Sequence, residues 1–394
     1  MEVRPLPDKQ GVGFCAMKPL DIKGYRYEQV GMHHNYHFTQ DNWSWPEKIE
    51  LEESFNIDAF APNLNKQLHV GHLRQLSLAV AFKRLFPHAR FVALLGKSIG
   101  YTDGAFEALQ NWFDFTDYHP DITMDEMMAF VDEQENLIPK ENGTGEYEGC
   151  KIWNGPKGPI VVRRSNGSAT YALHDLVFAN KVGPKYYITG EEQKEHFASL
   201  NLADKHLAMG LVLDANTKKK MKSRDGTAIS ATEVFSMVMD KLKETPCPKE
   251  LAWNVLTWNF LHVSRSQNVI FDPDKWTLPD SPGMYISYTY ARIYSALSKT
   301  TIAVDSVDED FTENDIALLG TTSYLTHWLI RSRKTMDFAI LANYAHHLAR
   351  KLGNAYHSES IKDGRTAFKI AVSSALVCLK NTMNYLGMFP LNQI

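Results

Sequence analysis

Phe55, Ile57 and Ala59 alternate with polar or small neighbours, the period of a half-buried strand, and Leu73, Leu76, Ala79 and Val80 then recur at helical spacing. A strand-to-helix turn therefore falls between them. The run Phe91 to Leu95 reads as a buried strand, and residues from about 105 to 160 are polar, glycine-containing and weakly periodic, as an insertion into a sheet would be. Pattern returns at Val161-Val162-Arg163-Arg164, followed by a turn at Asn166-Gly167 and a helix, and Tyr186 to Gly190 reads as another strand. From Glu250 onward the chain is helical. Leu341, Tyr344, Ala345, Leu348, Leu352 and Ala355 form one apolar stripe, and Phe368, Val372, Ala375, Leu379, Met383 and Leu386 form a second, beyond an acidic linker at 305–314. Residues 1–50 show no sustained period. The run His33 to Phe38 is read as an aromatic packing arm, because no carboxylate or cysteine stands close to it in sequence to complete a metal site.

With 394 residues, 44% hydrophobic and 22% charged, the chain has the composition of a globular protein of two or three domains. No apolar run approaches the roughly 18 residues that span a bilayer and no signal segment is visible, so a cytoplasmic protein is expected. Cys15, Cys150, Cys247 and Cys378 are too scattered for a zinc site, and no metal is expected. The net charge of −4 argues against indiscriminate coating of nucleic acid but leaves room for local basic patches, of which Lys218, Lys219, Lys220, Lys222 and Arg224 form one and Arg331, Arg333 and Lys334 another.

The turn after the first strand carries the candidate chemistry. His69 and His72 are three residues apart at a helix start, where unpaired amides and the positive end of the helix dipole favour an anion, and Gly71 between them leaves the backbone open to a flat purine. Two histidines at the head of a surface helix would say little alone. About 150 residues on, Lys220-Met221-Lys222-Ser223-Arg224 forms a basic loop after the apolar run Leu211-Val212-Leu213. Gly96-Lys97-Ser98 invites a phosphate-loop reading, which fails because Phe91 stands where that pattern requires its first glycine.

Together these two segments resemble the HIGH and KMSKS signatures of class I aminoacyl-tRNA synthetases. Pro62, Asn63, Lys66, His69, Gly71, His72, Leu73 and Arg74 fit the P-N-x-x-K-x-x-H-x-G-H-L-R form carried by arginyl-tRNA synthetases. The stretch through Tyr171, His174 and Asp175 is similar to that family's S-D-G-T-x-x-Y-x-T-R-D segment, and Gly190, Gln193, His196 and Phe197 match its G-x-x-Q-x-x-H-F. The resemblance covers residues 55–390 and is weakest from 96 to 160. Residues 1–50 are too few for the family's additional N-terminal domain, so a compact form is expected.

The resemblance implies an α/β fold: a Rossmann-like parallel-sheet catalytic domain at 51–245 with an insertion at about 105–160, a helical stem segment at 246–305, and an all-α anticodon-binding domain at 306–394, after an arm at 1–50. It implies arginine–tRNA ligase activity with ATP, Mg2+ carried on the nucleotide, tRNA(Arg) and L-arginine as partners, and a monomer. His69, His72, Lys66, Lys220 and Arg224 take the catalytic positions; Lys66 stands in for the second signature lysine, whose position Ser223 occupies. ATP falls to His69, Gly71, His72, Met209, Val212, Lys220 and Met221. Arginine falls to Asp58, Asn63, His69, Tyr171, Asp175 and Gln193, with Tyr171 and Asp175 on one helix face for the guanidinium, and Asp58 one methylene shorter than the family's glutamate. Arg331, Arg333, Lys334 and Tyr356 are assigned to tRNA, with Trp328 and Tyr344 as candidate flat faces, although the place of Tyr344 on the apolar stripe favours a core role. Two other readings stay open. One is a paralogue that passes arginine or a guanidine analogue to a non-tRNA acceptor, and the other is an inactive RNA-binding relic, against which the retained His69, His72, Lys66 and Lys220 count.

Overall fold

The computed structural model describes residues 3–5, 13–16, 26–30, 32–37, 54–60, 68–92, 132–133, 138–221, 229–300 and 311–394. The chain divides into two compact units, one of residues 51–236 with 265–272 and the other of 1–50, 237–264 and 273–394.

Strands β1 (Val3–Pro5), β2 (Gly13–Ala16), β3 (Arg26–Val30) and β4 (His33–His37) form an antiparallel sheet in the order β1-β2-β4-β3. The histidine run is thus a strand, not an arm. His37 is buried and lies 3.0 Å from Glu28 of β3, a carboxylate that sequence distance had hidden.

In the α/β unit, β5 (Asn56–Asp58) lies at the centre of a parallel sheet. Helix α1 (Val70–Leu85) carries the chain from β5 to β6 (Arg90–Phe91). The expected apolar stripe understates its burial, since Arg74, Gln75 and Ser77 are enclosed along with Leu73, Leu76, Leu78 and Phe82. Their side chains bond to distant backbone, as burial favours: Arg74 donates to the carbonyls of Gly210 (2.7 Å) and Arg265 (3.2 Å), and Gln75 to that of Ile188 (2.6 Å).

The stretch expected to be an insertion carries an antiparallel sheet of β7 (Glu141–Asn142), β8 (Lys151–Gly155) and β9 (Gly158–Arg163). The Asn-Gly turn follows as expected. Gly167 takes a φ of +82°, a conformation that side chains resist, and α2 (Tyr171–Lys181) begins four residues later. Leu173, Val177 and Phe178 of α2 pack with Val162 of β9, and with Tyr187 of β10 (Tyr186–Tyr187), the strand that pairs in parallel with β5. After α3 (Lys194–Ser199), the strand β11 (Val212–Asp214) leads into the basic loop, and α4 (Ala231–Lys241) leaves it.

In the helical unit, α5 (Pro248–Leu261) is buried along its whole length from Leu251. It is followed by β12 (Val269–Phe271), which pairs in parallel with β11 inside the α/β unit, and by the short α6 (Pro273–Trp276). Helices α7 (Pro282–Leu297), α8 (Glu313–Thr335), α9 (Ala339–Ser358) and α10 (Thr366–Tyr385) complete the unit. The stem segment is not set apart from the terminal helices. Trp258 of α5 donates to the carbonyl of Ala342 (2.9 Å), and Asn254 exchanges hydrogen bonds with Phe389 in both directions at 2.7 Å. Every residue of the second expected stripe, Phe368 to Leu386, is buried. No helix among the described residues is long and apolar enough to cross a membrane.

Candidate active site

The site begins where α1 begins. His69 takes extended backbone angles as N-cap, and its Nδ1 accepts from the amide of Gly71 (3.1 Å), while Nδ1 of His72 accepts from the amide of His69 (3.1 Å). This is a capping box built from two imidazoles, which stack with centroids 3.9 Å apart. A nitrogen that accepts carries no proton, so each neutral ring holds its proton on Nε2 and offers it as a donor. Burial, then His69 and the charge of Lys220, push the His72 pKa down to about 3. His72 is therefore a neutral donor at physiological pH. A Cβ on Gly71 would stand 2.9 Å from Cε1 of His69, so the glycine makes room for the ring as well as for a ligand.

The basic loop is tied to the same turn. Val70 donates to the carbonyl of Ile229 (3.2 Å) and Ala231 to that of Leu68 (2.8 Å), bridging His69 to Ser230. On the near side, the carboxylate of Asp214 accepts from the amides of Asn216 (3.0 Å) and Thr217 (2.7 Å), folding a turn that sets Lys220 across from Leu213. Lys220 is exposed, whereas Met209, Val212 and Met221 are buried and supply an apolar wall. Asn63, Lys66 and Arg224, together with the 96–104 segment, lie outside the described residues.

The carboxylates expected to meet a guanidinium come together from distant parts of the chain. Asp58 ends β5, and its register partner on β10 is Tyr187. Asp58 is 5% exposed, and its Oδ1 has no hydrogen-bond partner among the described residues; the Tyr187 hydroxyl, in a residue 3% exposed, has none either. Burial and the charge of Asp175 hold the Asp58 carboxyl well above the usual carboxylate range. Burial, Asp58 and Asp175 likewise push the Tyr187 phenol up.

Asp175 takes a partner other than the one expected. Tyr171, the first residue of α2, is 67% exposed with its ring edge-on to His174, whereas Asp175, one turn on, is bonded through Oδ2 to Nε2 of His196 (2.5 Å). That bond raises the His196 pKa above its ordinary value. Gln193 is exposed on the turn that precedes α3. Tyr187 and His196 are thus members of the constellation that sequence reasoning did not assign. Strand alternation distinguishes Tyr187 from Tyr186 only once the sheet is known, but His196 stands one turn from Gln193 and carried a signal.

On α8 the basic cluster splits. Arg331 and Lys334 are exposed on one face, with the Arg331 guanidinium 6.0 Å from the Trp328 ring, whereas Arg333 is half-buried. Tyr344 is a core residue whose hydroxyl donates to the Thr321 carbonyl (2.9 Å), so it offers no flat face. Tyr356 is half-buried under the Arg292 guanidinium (4.3 Å) and lines a cavity of about 630 Å³ with Lys299, His357 and Lys362.

A model of the DALR anticodon-binding domain matches residues 286–394. The arginine–tRNA ligase of Clostridium perfringens is 24% identical over 308 residues, which are 67% of this chain and 53% of that protein. That of Phocaeicola vulgatus is 26% identical over 273 residues, 58% of this chain and 45% of that one. The chain thus spans about half the length of the curated relatives it matches. In fold it is similar to Thermus thermophilus arginyl-tRNA synthetase (TM-score 0.70, 16% identity, 94% of this chain and 88% of that one) and to the Plasmodium falciparum enzyme (0.70, 15%, 94% and 86%). Mycobacterium tuberculosis methionyl-tRNA synthetase is a more distant fold neighbour (0.57, 10%, 84% and 90%). Its terminal segment matches the anticodon-binding model, and its aligned sequence and its fold are similar to those of arginyl-tRNA synthetases.

Proposed function

We propose that the chain is an arginine–tRNA ligase. In the first step the arginine carboxylate attacks the α-phosphate of ATP and pyrophosphate leaves; in the second a ribose hydroxyl at the tRNA 3′ end attacks the carbonyl and AMP leaves. Both steps gather negative charge on phosphate oxygens, and fixed donors stabilise such charge without reorganisation. His69 and His72 supply two Nε2–H donors beside the amides that open α1, and Lys220 supplies a cation, with Mg2+ arriving on the nucleotide. Arginine is selected by Asp175 and Asp58, since a planar cation in an enclosed pocket needs carboxylate partners and a neutral isostere would leave them unpaired.

The observation that carries this reading is the tying of the basic loop to the histidine turn through the amides of Val70 and Ala231. The segment that leaves the loop is thereby paired with the histidine turn although about 150 residues separate them in sequence, which supports a shared anion site beside the strand that ends in Asp58. Acylation of a total tRNA pool with each of the twenty amino acids, labelled, tests it. Arginine alone should be transferred. Transfer of another amino acid, or arginyl-adenylate formation with no transfer to any tRNA, would overturn the assignment.

A further inference from the structure

A carboxylate that is enclosed and lacks a partner is unstable as an anion, and two such groups near one another cannot both ionise without a cation between them. Asp58 is in that position. The titratable groups that face it among the described residues are Tyr187 from β10 and Asp175 from α2, with His196 of α3 behind Asp175. On its other flank, Phe91 and Val92 run alongside Ile57 and carry no charge. The proton of His196 is spoken for by Asp175, so it leaves the charge of Asp58 unbalanced, and the Tyr187 hydroxyl is neutral. Enclosure without a bonded partner among the described residues therefore favours the protonated form of Asp58.

We propose that arginine binding expels this proton: the guanidinium takes the place of the hydrogen on Asp58, so that the pocket exchanges one cation for another. The inference rests on the reading of Asp58 and Asp175 as the guanidinium site. Among the described residues, Oδ1 of Asp58 and the Tyr187 hydroxyl have no hydrogen-bond partner, and an incoming fork of N–H donors would meet both. In the exchange the O–H bond of the Asp58 carboxyl breaks, its electron pair stays on oxygen, and the proton passes to the buffer. The raised pKa of Asp58 sets the pH range of the effect, since below it arginine must displace a proton and above it the carboxylate is already free. Affinity for arginine should then rise with pH, by up to about tenfold per pH unit below that value. A neutral isostere draws no such benefit. Preference for arginine over citrulline should widen as pH rises, because a protonated Asp58 can donate to the citrulline carbonyl and an ionised one cannot.

The test is titration calorimetry of the full-length chain with L-arginine, in pairs of buffers that differ in ionisation enthalpy, at several values between about pH 5.5 and 8. The expected result is a heat that depends on the buffer in the sense of proton release, with the release growing toward the acid end. Asp58→Asn, judged folded by its circular dichroism, should bind arginine more weakly with no proton released. Saturable binding whose heat is the same in every buffer would overturn the inference while leaving arginine as substrate. An absence of saturable binding, with ATP still bound, would overturn the site reading itself.

Discussion

His69 and His72 cap each other: Nδ1 of His69 accepts from the amide of Gly71, Nδ1 of His72 accepts from the amide of His69, and their rings stack at 3.9 Å. The consequence is chemical. Because both Nδ1 atoms accept from backbone amides, both Nε2 atoms are donors, and the helix start presents two neutral donors with its own amides. His72→Ala should lower the rate of adenylate formation by about 10² or more, the range seen when one transition-state donor is lost. The measurement is single-turnover consumption of ATP, and a near-wild-type rate would remove His72 from the chemistry.

Gly71→Ala tests the cap from the other side. The added methyl group would press within 2.9 Å of the His69 ring, and the ring, not the backbone, must yield. Adenylate formation should fall with little change in the denaturation midpoint, whereas an equal loss in both would mean that the helix itself depends on the glycine.

The depressed His72 pKa has a consequence for stability. In the unfolded chain the imidazole takes up a proton near pH 6.5, but in the folded one only near pH 3, so across that window the unfolded state binds more protons and stability rises with pH. The full shift corresponds to a few kcal/mol at about 1.4 kcal/mol per unit. Denaturant midpoints of wild type and His72→Asn should diverge as pH falls below about 6.5, with the wild type losing more. Parallel curves would show that the ring charges without cost.

His196 runs with the opposite sign. Its folded pKa is raised by Asp175, so the stability it contributes is complete below the unfolded value and fades as pH rises through the folded one. His196→Gln should therefore cost most at acid pH and least above neutrality. In activity, loss of the bond that orients Asp175 should raise the KM for arginine more than it lowers kcat. An unchanged KM would make the pair structural only.

How much of this was legible depended on whether a contact ran along the chain or across it. The stripe from Phe368 to Met383 and the sequence β9, turn, α2 follow from periods of 3.6 and 2 and from one Asn-Gly pair, which are local properties. The coupling of Asp175 to His196, of Asp58 to Tyr187 and of His37 to Glu28 spans neighbouring elements whose register no local pattern carries. Arg74 is the clearest example. A guanidinium on a helix reads as surface, yet it is enclosed because three backbone carbonyls of two distant segments, those of Gly210 and Leu211 and that of Arg265, converge on it. Tyr344 was legible as core from its place on the apolar stripe, and the bond to Thr321 gives its hydroxyl a reason to be there.

Tyr344, Arg331 and Lys334 together separate an RNA-binding role from a packing role in the helical unit. Tyr344→Phe removes a buried hydroxyl bonded to the Thr321 carbonyl and to Cys378 Sγ and should cost about 1 kcal/mol of stability while leaving tRNA affinity unchanged. Arg331 and Lys334, three apart on the exposed face of α8, have the reverse profile. As charges that meet phosphates, their joint replacement by alanine should barely move the denaturation midpoint, but should weaken tRNA binding and reduce the slope of log K against log salt by about 1–2, one counterion term for each lost contact. Arg333, half-buried and turned from that face, should behave more like Tyr344 than like its neighbours. Because release of counterions is independent of base identity, the double variant should lose affinity for cognate and non-cognate tRNA alike. A loss confined to the cognate species would instead make the two residues readers of sequence, and an unaltered salt slope would take the phosphates off this face of α8.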